Sequence, residues 1–141
     1  MEKEIFGKFI NEHRSIIENI REAAHEAHEA VNQRYDKQWP YSVHLDAVAA
    51  IVMEHGADVV ANEMDILPVV FGAYFHDSIE DARLTYNDVT AIARRMMDDE
   101  QAYMAAEIVY ALTNEKGRTR SERANDKYYE GIRHTPYAPI C

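Results

Sequence analysis

The chain is predicted to fold as an all-α helical bundle of about six to seven helices, and three observations lead there. Apolar residues recur at three- and four-residue steps along most of its length, as on one face of a helix. No segment alternates apolar and polar residues in the manner of a half-buried strand. Helix-starting residues (Ser, Thr, Asp) stand just ahead of several of the periodic runs. With 141 residues and 47% hydrophobic content, positions 1–141 are read as one domain with one buried core.

Taken in order, Ile5, Phe6, Phe9, Ile10, Ile16, Ile17, Ile20, Ala23, Ala24, Ala27 and Val31 trace a helical stripe through the first third, with a break expected near Ser15. Pro40 and the polar cluster before it mark a loop from about Arg34 to Ser42. Ser42 is expected to cap a helix whose apolar face is Val43, Val48, Ile51 and Val52, and Gly56 to end it. Asp65 is a candidate cap for Ile66 to Ser78, which is apolar nearly all round and therefore central; Pro68 falls in its first turn, where a missing amide is tolerated. Thr85 opens a helix through Met97, and Asp98-Asp99 opens the next, carrying Tyr103, Ala106, Ile108, Val109 and Leu112. Asn114 to Arg120 reads as loop, Ser121 to about His134 as helix, and Thr135-Pro136 as the start of another.

Fifteen Lys and Arg against twenty-five Asp and Glu leave a formal charge of −10, which opposes sequence-independent binding to nucleic acid or to an anionic membrane. An anionic substrate would need a local basic pocket. The single cysteine, Cys141, allows no intrachain disulfide, and neither a signal-peptide core nor an apolar run of membrane-spanning length occurs. A soluble cytoplasmic protein is the expectation.

The chemistry concentrates in Ala73-Tyr74-Phe75-His76-Asp77-Ser78-Ile79-Glu80-Asp81. Roughly 0.5 His-Asp pairs are expected by chance in such a chain, so the specificity must come from the surroundings. On a helix His76, Asp77, Glu80 and Asp81 share one face of an otherwise apolar element. Burying unpaired carboxylates is costly, and a divalent cation would relieve that cost; the plain alternative is a solvated helix end. His44 is the natural further ligand. His25 and His28, three apart, could meet one ion, but Glu22, Glu26 and Glu29 around them fit an exposed acidic face better. A mixed imidazole and carboxylate set suits Mn²⁺, Fe²⁺ or Zn²⁺ more than Ca²⁺. Such an ion activates water and polarises a phosphoryl oxygen, and Arg34, Lys37, Lys116, Arg118, Arg120 and Arg123 could hold phosphate groups.

The order Pro40-Tyr41-x-x-His44, His76-Asp77-x-x-Glu80-Asp81 and Leu112-Thr113-x-x-Lys116 resembles the HD-domain phosphohydrolases, specifically the RelA/SpoT-type guanosine tetraphosphate hydrolase domain, from about His25 onward. The resemblance implies an all-α bundle in which His44, His76 and Asp77 are three of four metal ligands, normally for Mn²⁺, with Fe²⁺, Zn²⁺ or Mg²⁺ as alternatives. It implies that Glu80 and Asp81 orient or activate the attacking water and that Arg34 packs on the nucleotide base. Leu45 and Ala82 replace residues that are often proline and threonine in the family. The fourth ligand, an aspartate in a Lys-x-x-Asp-x-x-x-Asn motif, has no counterpart; Pro136 to Cys141 resembles the apolar lead-in to it, and Asp126 is a poor substitute. The expectation is a domain cut short at its C-terminal end, with weakened metal binding, a small-molecule nucleotide substrate, and exposed core surface that invites homodimerisation. A catalytically impaired nucleotide-binding regulatory module is the alternative.

Overall fold

The computed structural model describes residues 1–30, 34–35, 39–79, 82–113 and 137–138. Glu80, Asp81, Lys37, Lys116, Asp126 and the helix expected over Ser121 to His134 lie outside the described residues, as does the side chain of Arg34. The fold is all-α: the described residues form six α-helices, with one short antiparallel ladder between the second and third.

Helix α1 (Lys3–Glu12) and α2 (Arg14–Glu29) meet at His13, two residues before the expected break. The His13 ring stacks on Phe9 at 3.8 Å and donates from Nδ1 to the Phe9 carbonyl at 2.9 Å, so the side chain serves the end of α1 that the bend exposes. Along α2 the buried stripe is Ile17, Ile20, Ala24 and His28, at steps of three, four and four. The expected loop contains β1 (Arg34–Tyr35) and β2 (Trp39–Pro40), in register Arg34 with Pro40 and Tyr35 with Trp39. This ladder lies directly before α3 (Tyr41–His55).

Helix α3 presents Leu45, Ala49 and Val52 to the core, at a four-then-three spacing, while Val43 and Ile51 are 45% and 58% exposed. Of the expected face, Val52 is buried and Val48 packs against the core, whereas Val43 and Ile51 turn outward. Valines and isoleucines stand on both sides of this helix, and only packing against α2 and the next helix decides which side is covered. Gly56 follows the last residue of α3 without a left-handed conformation, since among the described residues no glycine has positive φ. It opens a short 3₁₀ turn (Gly56–Asp58), and a Cβ there would lie 2.5 Å from Cζ of Phe6, so its bareness admits the aromatic ring that anchors α1.

Every residue of α4 (Ile66–Phe75) is buried, and the helix packs against α2, α3 and α6. Phe71 and Phe75 stack at 4.2 Å with rings nearly parallel, forming the centre of the core. Asp65 makes no side-chain cap for α4; instead its carboxylate accepts from the Tyr137 hydroxyl at 2.6 Å. That hydroxyl also accepts from the Ala61 amide at 3.3 Å, and Ala138 beside it is fully buried.

Helix α5 (Tyr86–Arg94) starts in a reciprocal capping box: Thr85 Oγ1 accepts from the Asp88 amide at 3.0 Å and the Asp88 carboxylate from the Thr85 amide at 2.9 Å. These bonds hold the Asp88 carboxyl below its ordinary pKa. Asp98 and Gln101 repeat the device for α6 (Asp99–Ala111), which presses Ala102, Ala105, Ala106 and Val109 inward at small-residue spacing that permits close approach. Among the described residues no helix is long and apolar enough to cross a membrane.

Candidate metal centre

The core helix α4 stops at Phe75, and His76 to Ile79 continue it as a turn. The reversal puts His76 and Asp77 at the rim of the core, where α3 delivers His44. His44 Nε2 and His76 Nε2 lie 3.5 and 2.9 Å from the same oxygen, Asp77 Oδ2. The two imidazoles meet edge to face at 5.4 Å. One ligand atom from each of the three lies within 4.8 Å of the others, so the group could hold a metal ion.

The proton inventory sharpens this geometry. His76 Nδ1 is 2.7 Å from the Ala73 carbonyl, which can only accept, so Nδ1 carries the N–H. In the neutral ring Nε2 then presents a lone pair to a carboxylate oxygen at 2.9 Å. Two acceptors face each other, and a positive species between them resolves the repulsion: a second proton on the imidazole, or a cation. With His44 aimed at the same oxygen, a single divalent ion satisfies all three. At bond lengths of about 2.1 Å, donors at right angles about an ion stand roughly 3.0 Å apart and opposed donors roughly 4.2 Å, comparable with the 2.9 and 3.5 Å seen here. The side chains of His44, His76 and Asp77 keep 29%, 14% and 23% exposure, which leaves a mouth through which water or ligand can approach.

Of the two further histidines, His28 departs from expectation and His25 is engaged by another residue. His28 is not on an exposed acidic face; it is 1% exposed, with both ring nitrogens sealed from solvent. The spacing Ile17, Ile20, Ala24, His28 contained that signal, since His28 continues the buried stripe. Burial lowers its pKa to about 4, an effect opposed by the Asp77 carboxylate and reinforced by His76, His44 and His25, so it stands as a neutral wall behind the centre. His25 is drawn away: its Nε2 is 2.8 Å from Asp46 Oδ1, and Arg21 donates to both Asp46 oxygens at 3.1 and 3.2 Å. This clamp ties α2 to α3 two residues beyond His44 and keeps the Arg21 guanidinium firmly charged. Tyr74, pushed up to about 12 by burial and then by Asp46, lies behind it.

His28 makes stability acid-sensitive. Its folded pKa lies below the unfolded value near 6.5, so between pH 6.5 and 4 the unfolded chain binds a proton that the folded chain refuses. Stability is full above pH 6.5 and falls as pH drops toward 4. Denaturant titrations with a chelator at pH 7 and 4.5 should show the parent losing about 2 kcal/mol more than His28→Gln; equal losses would refute the assignment.

Arg83 is the other residue that composition does not reveal. It has φ of 62°, a left-handed conformation that costs a side-chain-bearing residue about 1 kcal/mol relative to glycine. The amides of Ala82 and Leu84, on either side, both donate to the Ser78 carbonyl at 3.1 Å, closing the turn onto the residue after Asp77. Ser78 itself is fully buried, and among the described residues its hydroxyl has no hydrogen-bond partner.

Comparison of the chain with family models, curated proteins and solved structures gives no match.

Proposed function

We propose that this protein is a divalent-metal-dependent phosphohydrolase of the HD type, cleaving a phosphoester of a nucleotide or alarmone such as guanosine tetraphosphate. One observation carries the reading: His44 Nε2, His76 Nε2 and Asp77 Oδ2, from two separate elements, converge within ligand distance of one point. The order of motifs along the chain supports the same class.

A cation held by His44, His76 and Asp77 would lower the pKa of a water and polarise a phosphoryl oxygen; the donor set suits Mn²⁺, Fe²⁺ or Zn²⁺, and the family resemblance favours Mn²⁺, with Mg²⁺ as a further alternative. The Ala73 carbonyl fixes the His76 tautomer so that Nε2 is the donor. Asp77 supplies the one negative charge among the three donors, and the buried His28 nearby stays neutral. Glu80 and Asp81, by the family resemblance, orient the attacking water. The water oxygen bonds to phosphorus as the ester oxygen leaves with the bonding pair and takes up a proton.

The test is Mn²⁺ titration of the full chain, followed by phosphate or pyrophosphate release from guanosine tetraphosphate and from ordinary nucleotides. Release that requires metal, stops with chelator and disappears in His76→Ala supports the proposal. Nucleotide binding that needs no metal and gives no turnover would replace it with the regulatory-module reading.

A further inference from the structure

The convergence of His44 Nε2 on Asp77 Oδ2 depends on how α3 is turned about its own axis. An imidazole nitrogen stands roughly 6 Å from the axis of the helix that carries it, so a turn of about 20° displaces it by roughly 2 Å. A ligand atom has to hold its place within roughly 0.5 Å. Burial of Leu45, Ala49 and Val52 holds α3 to the core, but apolar burial is non-directional and fixes that angle only loosely.

A polar clamp supplies the direction. Asp46, two residues after His44, accepts from Arg21 on both carboxylate oxygens at 3.1 and 3.2 Å, and His25 Nε2 lies 2.8 Å from its Oδ1. Glu18 accepts from the same guanidinium at 2.8 Å. Arg21 and His25 stand on α2, whose next turn carries the buried His28, and Asp77, His76 and His44 all act electrostatically on that ring. On the other side Asp46, Arg21 and Glu18 act on the buried Tyr74, two residues before His76. The network therefore lies where α2, α3 and α4 meet, beside both histidine ligands. With the side chains of Arg21 and Asp46 37% and 39% exposed, the pair adds little to stability. What a two-pronged guanidinium–carboxylate contact adds is fixed geometry.

Resting on the metal-centre reading, we propose that Asp46 is a positioning residue of the centre: clamped by Arg21 and His25, it fixes the rotation of α3 that aims His44 Nε2 at the ion. It touches neither ion nor substrate and acts through His44. One consequence runs against simple electrostatics, since Arg21, a cation, promotes the binding of another cation.

Calorimetric titration of the full chain tests this, with Mn²⁺ for the parent and the tighter-binding Zn²⁺ to keep weakened variants measurable. Asp46→Ala and Arg21→Gln should each weaken binding about tenfold, and the double variant by about as much as either alone. The sign for Arg21→Gln separates positioning from charge: removing a positive charge near the centre strengthens cation binding by Coulomb's law, and only the loss of the clamp weakens it. This variant decides the matter by itself should Asp46→Ala fail to fold, as circular dichroism would show. In a His44→Ala background Asp46→Ala should cost no more than about twofold further, whereas a general loosening of the fold would cost the same in both backgrounds. Arg21→Gln binding at or above the parent's affinity, or an undiminished effect of Asp46→Ala in the His44→Ala background, overturns the proposal and leaves the metal centre standing. A parent that binds no divalent ion overturns the metal-centre reading and this inference together.

Discussion

Asp77→Ala should abolish high-affinity Mn²⁺ binding, lowering affinity by 100-fold or more, while the helical fold persists. Asp77 Oδ2 is the atom on which both imidazoles converge, and it is the one anionic donor of the three. Two neutral imidazoles retain some affinity for a transition metal but lose both the charge and the shared vertex. Asp77→Asn separates these contributions: the amide keeps the shape and an oxygen donor, so its loss isolates the charge. His44→Ala removes the ligand contributed by α3 and should fall between the alanine and asparagine variants or match the former. Titration calorimetry under one buffer and pH decides the matter, with circular dichroism as the fold control. Wild-type affinity in Asp77→Ala would show that the three side chains are an ordinary hydrogen-bonded cluster and that any bound ion sits elsewhere.

Phe71→Ala should destabilise the domain by about 3–5 kcal/mol. Phe71 is fully buried on α4, its ring stacked on Phe75, and no side of that helix faces solvent into which the cavity could collapse. Set against the ~5–15 kcal/mol that holds a domain of this size together, the variant is close to unfolding. The site should suffer indirectly, because His76 and Asp77 follow the last turn of the same helix. If a metal binds only the folded state, saturating Mn²⁺ restores part of the loss, by about 2.7 kcal/mol at a hundredfold excess over Kd. Phe71→Leu, which retains most of the volume, should cost markedly less. Urea denaturation with and without Mn²⁺ measures both effects, and a loss below about 1 kcal/mol in Phe71→Ala would contradict the central placement of α4.

The helices were largely legible in the chain because their causes are local. Thr85 with Asp88 closes a capping box within four residues, and the apolar run from Ile66 announces a buried helix by its composition. Where a local signal was ambiguous, the expectation failed. Val43 and Ile51 are as apolar as the residues that α3 buries, and Asp65, well placed as a cap, is taken by Tyr137 from a distant part of the chain. Gly56 follows the last residue of α3 as expected, but what requires a glycine there is the ring of Phe6 from a remote helix.

For the candidate site the division follows the same line. The residue types and spacing of His76 and Asp77 on a central helix, and the order of His44 before them, are properties of the sequence alone. That His44 and His76 aim at one carboxylate oxygen is a tertiary fact, since it depends on α3 packing against α4. So is the burial of His28 behind them and the diversion of His25 to Asp46. Hydrogen bonds within a helix are made between residues four apart, so short stretches of sequence specify them; a metal centre is assembled from side chains remote in the chain, and only the packing of the core brings their lone pairs to one point.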